Sequence, residues 1–337
     1  MTAVHAPHVV ALGAGRMGRG LATALAYANI KVTVLDARQR TPEAQSDLAQ
    51  QGHAEVLANM GMLAQLGAFD AAFAQPLAQR VQWADAAQAP EVLADADWVF
   101  EGVTETLQAK QDALELCNQH CRDDAILTST TSSILVTQLA PLVHRPERFF
   151  NMHWLNPAFL IPVVEISTHP GTSADAVQRT RALLQSMGKL PVVCGPAPGY
   201  VVPRLQALMM NEAARMVDEG IISAQDMDIA TRYGLGLRFA ALGVLEFIDF
   251  GGADILYHAS RELAASVSAE RYATPDIIER MMHNQQLGLK TGQGFFSYQP
   301  SESAAYRLDA MTRVMAMLRH TDMWRPPVLP ERNDSSA

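Results

Sequence analysis

Val9-Val10-Ala11-Leu12-Gly13-Ala14-Gly15-Arg16-Met17-Gly18-Arg19-Gly20 is the stretch on which the fold turns. An apolar strand runs into Gly-x-Gly-x-x-Gly, and a helical pattern follows at once. A second apolar run, Lys31-Val32-Thr33-Val34-Leu35, ends in Asp36. Together these make a complete βαβ unit with an acid at the tip of its second strand, the context a dinucleotide-binding fingerprint requires. Gly13 permits the tight turn, Gly15 lets the backbone approach a pyrophosphate, and Gly18 lets helix and strand pack closely. Met17 lies inside the same turn. The free N–H groups and positive dipole end of the helix then face the phosphates. Asp36 can accept from the adenosine ribose hydroxyls and repel a 2′-phosphate, so the expected cofactor is NAD. Arg38 and Arg40 stand nearby and leave NADP open.

Outward from this unit the chain alternates short β-rich runs with helical patterns. Strands are expected at 8–13, 31–36, 81–84, 97–102, 125–130, 149–154, 163–168 and 190–194. That alternation predicts an α/β fold, a Rossmann-type doubly wound, mostly parallel sheet covered on both faces. Residues 42–79 carry no strand signal and read as a helical excursion. Gly195-Pro196-Ala197-Pro198-Gly199 is the strongest breaker cluster. It sets the expected domains: a dinucleotide-binding domain over 1–195, an all-α substrate and dimerisation domain over 196–325, and a loose tail over 326–337. Helices are expected near 200–219, 223–233, 253–266, 275–285 and 303–319.

Composition narrows the function classes. A chain of 337 residues with 49% hydrophobic content is an ordinary globular protein of about two domains. Its net charge of −9, with no basic stripe, argues against a nucleic-acid partner. Three cysteines, Cys117, Cys121 and Cys194, make no disulfide framework and suit a reducing cytoplasm. Cys117, His120 and Cys121 sit on one expected helix and read as packing rather than half a zinc site. No signal peptide or transmembrane run is expected.

The reactive segment spans Thr128 to Glu165. It reads Thr128-Ser129-Thr130-Thr131-Ser132-Ser133, then His153-Trp154-Leu155-Asn156-Pro157, then Glu165. These polar groups fall at or near strand ends, and in open α/β sheets ligands bind outside the carboxyl ends of the strands. An alcohol gives up hydride only as its hydroxyl proton is removed. Imidazole is the natural base near neutral pH, and a carboxylate behind it fixes the tautomer.

With these residues the chain resembles the L-3-hydroxyacyl-CoA dehydrogenase family over nearly its full length. The match takes in the Gly13–Gly18 fingerprint, Glu101 and Glu105 with Lys110, Thr131-Ser132-Ser133, His153-x-x-Asn156-Pro157 and Glu165. It continues through Pro198-Gly199-Tyr200 and Lys290-Thr291-Gly292-Gln293-Gly294-Phe295. The resemblance implies that His153 is the general base, Glu165 its partner and Ser132 the ligand of the reacting oxygen. It implies cofactor contacts at Glu105, Lys110, Asn156 and Lys290, with Asn156 also near substrate.

Two departures bear on the substrate. Pro203 stands where the family usually has a substrate-facing Asn, and residues 42–79 lack the basic side chains with which relatives grip CoA. Arg238, in Gly234-Leu235-Gly236-Leu237-Arg238-Phe239-Ala240, looks more like the branch of lambda-crystallin/L-gulonate and carnitine dehydrogenases, which act on small free hydroxycarboxylates. The expected substrate is therefore a small hydroxy acid, with a short acyl thioester such as 3-hydroxybutyryl-CoA as the alternative. A non-catalytic NAD-binding structural or regulatory protein is the reading from another class. The lysine-dependent β-hydroxyacid dehydrogenases are excluded, because no Lys occurs between 190 and 289. The apolar segments Leu205–Val217 and Ala240–Phe250 predict a homodimer.

Overall fold

The computed structural model describes residues 7–327. Its eight strands are β1 (Val9–Leu12), β2 (Val32–Leu35), β3 (Val81–Ala84), β4 (Trp98–Glu101), β5 (Ile126–Ser129), β6 (Phe149–Trp154), β7 (Val163–Ser167) and β8 (Leu190–Cys194). They form one sheet in the order β3-β2-β1-β4-β5-β6-β7-β8. Every pairing is parallel except β6 with β7. The order reverses between β1 and β4, which creates the crevice where such sheets hold dinucleotides.

The inner strands β1 and β2 are buried throughout, as strands covered on both faces are, whereas the edge strand β8 leaves Leu190, Val192 and Val193 exposed. Alternate residues serve opposite layers. Val9 and Ala11 pack with Leu21, Leu25 and Val34 on one face, while Val10 and Leu12 pack with Val99, Leu114 and Phe149 on the other. The helical excursion is real. Its main helix, Pro42–Gln65, starts with Pro42 in the first turn, and Thr41 accepts from the Ala44 N–H at 3.3 Å. Its Gly52 lies against the Trp83 ring, so close that a Cβ there would sit 2.0 Å from it.

The described residues divide into two compact units that part between Met209 and Met210. The division falls inside the helix Val202–Asp218 rather than at the Gly195–Gly199 breaker cluster. A buried acid of the first unit, Glu165, accepts from the Val201 and Val202 N–H groups, which ties the start of that helix to the sheet. The second unit is helical, with a small core of Ala253, Ile278 and Met281. Its expected helix at 223–233 is instead a short α-helix, Ala224–Ile229, running into a π-helix, Ala230–Gly236. Of the tail assigned to 326–337, residues 328–337 lie outside those described.

The fingerprint turn is the tightest point of the sheet domain. Gly13 has φ +114°, and a Cβ there would come within 2.8 Å of the Gly102 carbonyl oxygen. A Cβ on Gly18 would meet the Gly13 carbonyl oxygen at 1.9 Å, and backbone cannot move aside as a flexible side chain can. Gly18→Ala should therefore cost about 1–3 kcal/mol, as overpacking of close-packed interiors does. A urea titration at neutral pH measures it, and an unchanged midpoint would contradict this packing.

Candidate active site

The helix Arg16–Tyr27 begins at Gly15, which has no side-chain cap, and no acid lies in its first turn. Its N–H groups therefore remain available to a ligand. A Cβ on Gly15 would meet nothing within 4 Å, so the backbone there faces open space. Gly13 and Gly18 are buried around the turn, with Met17 half-buried beside them. The turn fits a pyrophosphate. Asp36 is buried at the tip of β2, as a ribose-binding acid should be. Its carboxylate already accepts from Arg40 Nε, a pairing that spacing alone did not predict.

A buried charge network lies along β4 and the helix Leu107–His120. Lys110 is fully buried, and its ammonium donates to both oxygens of Glu101, at 3.1 and 3.0 Å. It also pairs with Glu105 Oε2 at 3.2 Å. Glu105 Oε1 gathers the turn after β5. It accepts from Thr131 Oγ1, from the Ser132 and Ser133 N–H groups at 2.9 and 3.1 Å, and from Ser133 Oγ at 2.8 Å. Burial works against the Glu105 charge. The Thr131 hydrogen bond, the Lys110 cation and Ser133 outweigh it and hold the carboxyl down at about 2. Ser132 is left exposed, with its hydroxyl unpartnered among the described residues.

The His153–Glu165 pair arises from strand register. In the antiparallel β6–β7 pairing His153 lies directly opposite Glu165. His153 Nδ1 and Glu165 Oε2 are 2.8 Å apart. Glu165 is fully buried, and its other oxygen, Oε1, accepts from the Val201 and Val202 N–H groups at 2.9 and 2.8 Å. His153 Nε2 has no partner among the described residues. The ring stacks on Tyr200, centroids 4.7 Å apart and 17° from parallel. Tyr200 in turn donates to the Thr131 carbonyl oxygen at 2.6 Å, so one phenol ties the imidazole to the Ser132 turn. Burial pushes that phenol well above its ordinary range, which keeps it a neutral donor.

Asn156 is exposed on the loop after β6. The buried ammonium of Lys189 braces that loop, donating to the Ala158 and Ile161 carbonyl oxygens at 2.7 and 2.8 Å. Burial lowers the pKa of Lys189. Pro203 falls in the first turn of its helix, where a missing N–H is harmless.

Thus Ser132, Glu105, Lys110, His153, Glu165 and Tyr200 form one bonded constellation at the carboxyl ends of the parallel strands. Lys290 and Arg238 belong to the second unit. The Lys290 ammonium pairs with Asp254 at 2.8 and 3.0 Å. Around it, the Gly-rich loop wraps the fully buried Asp249, which accepts from the Phe295 and Phe296 N–H groups and from the Tyr298 hydroxyl. Arg238 Nε donates to the Gly234 carbonyl oxygen, and its guanidinium lies 5.1 Å from the Phe247 ring centroid.

Sequence reasoning gave no role to Glu101, Tyr200 or Asp249. Glu101 ending a buried strand was a usable signal. The partners of Tyr200 and Asp249 come from distant chain and left none.

The sequence model of a family described as 3-hydroxyacyl-CoA dehydrogenase, NAD binding domain, matches residues 8–197. The chain belongs to the 3-hydroxyacyl-CoA dehydrogenase family. That family's C-terminal domain model matches residues 199–298. The cofactor is NAD. A 5-formyl-3-hydroxy-2-methylpyridine 4-carboxylate 5-dehydrogenase of Mesorhizobium japonicum is 29% identical over 314 residues, 93% of this chain and 97% of that protein. A probable 3-hydroxybutyryl-CoA dehydrogenase of Deinococcus radiodurans is 29% identical over 287 residues, 85% of this chain and 98% of that one. The crystal structure of a 3-hydroxyacyl-CoA dehydrogenase from Archaeoglobus fulgidus superimposes with TM-score 0.72 at 28% identity, covering 94% of this chain and all of that one.

The depressed Glu105 carboxyl has a pH signature. Its stabilisation is full above its ordinary value of 4.5 and is lost as pH falls toward about 2. With its side chain 38% exposed, solvent screening keeps the effect modest. Wild type should therefore lose more stability than Glu105→Ala between neutral pH and about pH 3. Urea midpoints at the two pH values test this, and equal losses would contradict it.

Proposed function

We propose that this chain is an NAD-dependent oxidoreductase that interconverts a 3-hydroxyacyl compound and its 3-keto form. The observation that carries the reading is the buried Glu165–His153 pair, with Nε2 left open at the carboxyl end of the sheet. Bound NAD supplies the acceptor for the hydride that leaves the carbinol carbon. His153 Nε2 takes the hydroxyl proton as the C–O bond becomes a carbonyl. Glu165 holds the proton side of the ring at Nδ1 and offsets the charge that develops there. The free hydroxyl of Ser132 hydrogen-bonds the reacting oxygen, and Asn156 contacts cofactor and substrate. Gly13, Gly15, Met17 and Gly18 carry the pyrophosphate, and Asp36 takes the adenosine ribose. Lys110 acts through Glu105 rather than by touching the cofactor, since its ammonium is enclosed by two carboxylates. Lys290 supports the loop of the second unit by its pair with Asp254. His153→Asn should lower kcat about a hundredfold while NAD still binds. NADH absorbance reads the first and calorimetry the second, and a near-wild-type kcat would remove His153 from the reaction.

For the substrate, a compact hydroxycarboxylate fits better than a CoA ester. The helix Pro42–Gln65 carries no Lys or Arg, Pro203 replaces a polar contact, and one relative is named for a small pyridine carboxylate. Arg238 is the proposed carboxylate ligand, since most of its donors are open and bidentate pairing is worth roughly 1.5–3 kcal/mol. Arg238→Met should raise KM for free 3-hydroxy acids about tenfold and leave 3-hydroxybutyryl-CoA unaffected. A wild type that strongly prefers the CoA ester, with an indifferent variant, would make 3-hydroxybutyryl-CoA the substrate.

The chain is also proposed to work as a homodimer. The helix Val202–Asp218 buries none of its residues, and Leu205, Leu208, Met209 and Met210 are each about half-exposed or more. Apolar surface of that extent marks association. Light scattering at micromolar protein should give twice the 36.7 kDa chain mass, and the single-chain mass would contradict it. Among the described residues no helix is long and apolar enough to cross a membrane. The three unpaired thiols favour a reducing compartment, the cytoplasm.

A further inference from the structure

The acid at the tip of β2 does not stand alone. Asp36 uses its two oxygens unequally: Oδ2 accepts from Arg40 Nε, while Oδ1 is approached only by the Arg38 backbone N–H, at a long 3.4 Å. The Arg38 side chain turns to the loop after β4, where Nη2 donates to Thr104 Oγ1 at 2.7 Å. One guanidinium, that of Arg40, pairs with the carboxylate, and the segment from Asp36 to Arg40 carries one negative and two positive charges. A solitary Asp would make it negative.

That difference bears on which cofactor can enter. An unpaired carboxylate rejects the 2′-phosphate of NADP by like-charge repulsion. Here the Arg40 ion pair offsets that repulsion. A guanidinium has five donors, and Arg40 uses one of them on Asp36. The rest have no partner among the described residues, and both arginines are exposed at this edge. Arg40 can thus keep its Nε bond and still present its outer N–H groups to a phosphate, bidentately if the approach allows. Meanwhile Oδ1 has lone pairs to spare for a ribose hydroxyl, so NAD is served by the same arrangement.

We propose that Arg40 is a specificity-determining residue that makes the adenosine end of the site tolerant of a 2′-phosphate, so that the chain takes NADP as well as NAD. The inference rests on the dinucleotide reading of this site, and NAD binding is its separate control. Absence of NAD binding would undo that reading. Intact NAD binding without NADP binding would undo the inference alone.

The test is calorimetric titration of NAD and of NADP into wild type, Arg40→Met and Arg38→Met, with no substrate present. Wild type should bind NADP within about a hundredfold of NAD. The ratio of the two Kd values should widen about tenfold further in Arg40→Met, the loss of one charge-assisted contact to phosphate. Arg38→Met should widen it less, because its side chain is engaged with Thr104. Arg40→Gln is a second uncharged variant, so failure of one to fold leaves the comparison intact. A wild-type ratio wider than a hundredfold, or a ratio unmoved by either Arg40 substitution, would overturn the proposal.

Discussion

One buried carboxylate ties together three elements at the β7 end of the sheet. Glu165 has no contact with solvent, and its two oxygens face different elements. One accepts from successive backbone N–H groups at the start of the helix Val202–Asp218, and the other meets His153 across the β6–β7 ladder. A buried charge is tolerated only when fully hydrogen-bonded, and the unpaired N–H groups of a helix start are well suited to it. The same contact therefore satisfies a helix terminus, docks the helix on the sheet and fixes the imidazole. Moving any one of the three elements by a residue would leave an uncompensated charge inside the protein.

A second enclosed network does for the opposite wall what Glu165 does for His153. Glu101 anchors Lys110, Lys110 steadies Glu105, and Glu105 collects the N–H groups and hydroxyls of the Thr131–Ser133 turn. Tyr200 joins the two systems by stacking on His153 and donating to Thr131. His153 and the Thr131–Ser133 turn are thus held by strands, a helix start and buried ions. Such support would keep a proton acceptor in position without reorganisation.

Much of this was legible in the sequence because it depends on local pattern. All eight expected strands occur, since short runs rich in β-branched and aromatic residues bounded by turn residues are a local signal. The Gly13–Gly18 turn was readable because only glycine tolerates those backbone approaches. What stayed hidden depends on partners distant in sequence. The burial of Lys110 follows from Glu101 and Glu105 closing over it, which spacing does not reveal. Asp249 looks like an ordinary helical acid until the loop returns at Phe295 to meet it. The last strand ends at Cys194, just before the Gly195–Gly199 breaker cluster, and helices follow. The compact units nevertheless part inside the next helix, because Glu165 draws its start toward the sheet.

Through its contact at Nδ1, Glu165 should set the protonation pattern of the His153 ring and leave Nε2 open. Nitrogen-15 NMR of the ring, with His153 assigned by comparison with His153→Asn, tests it most directly. The neutral ring should carry its proton on Nδ1, directed at Glu165, with Nε2 unprotonated. A neutral ring carrying its proton on Nε2 would contradict it.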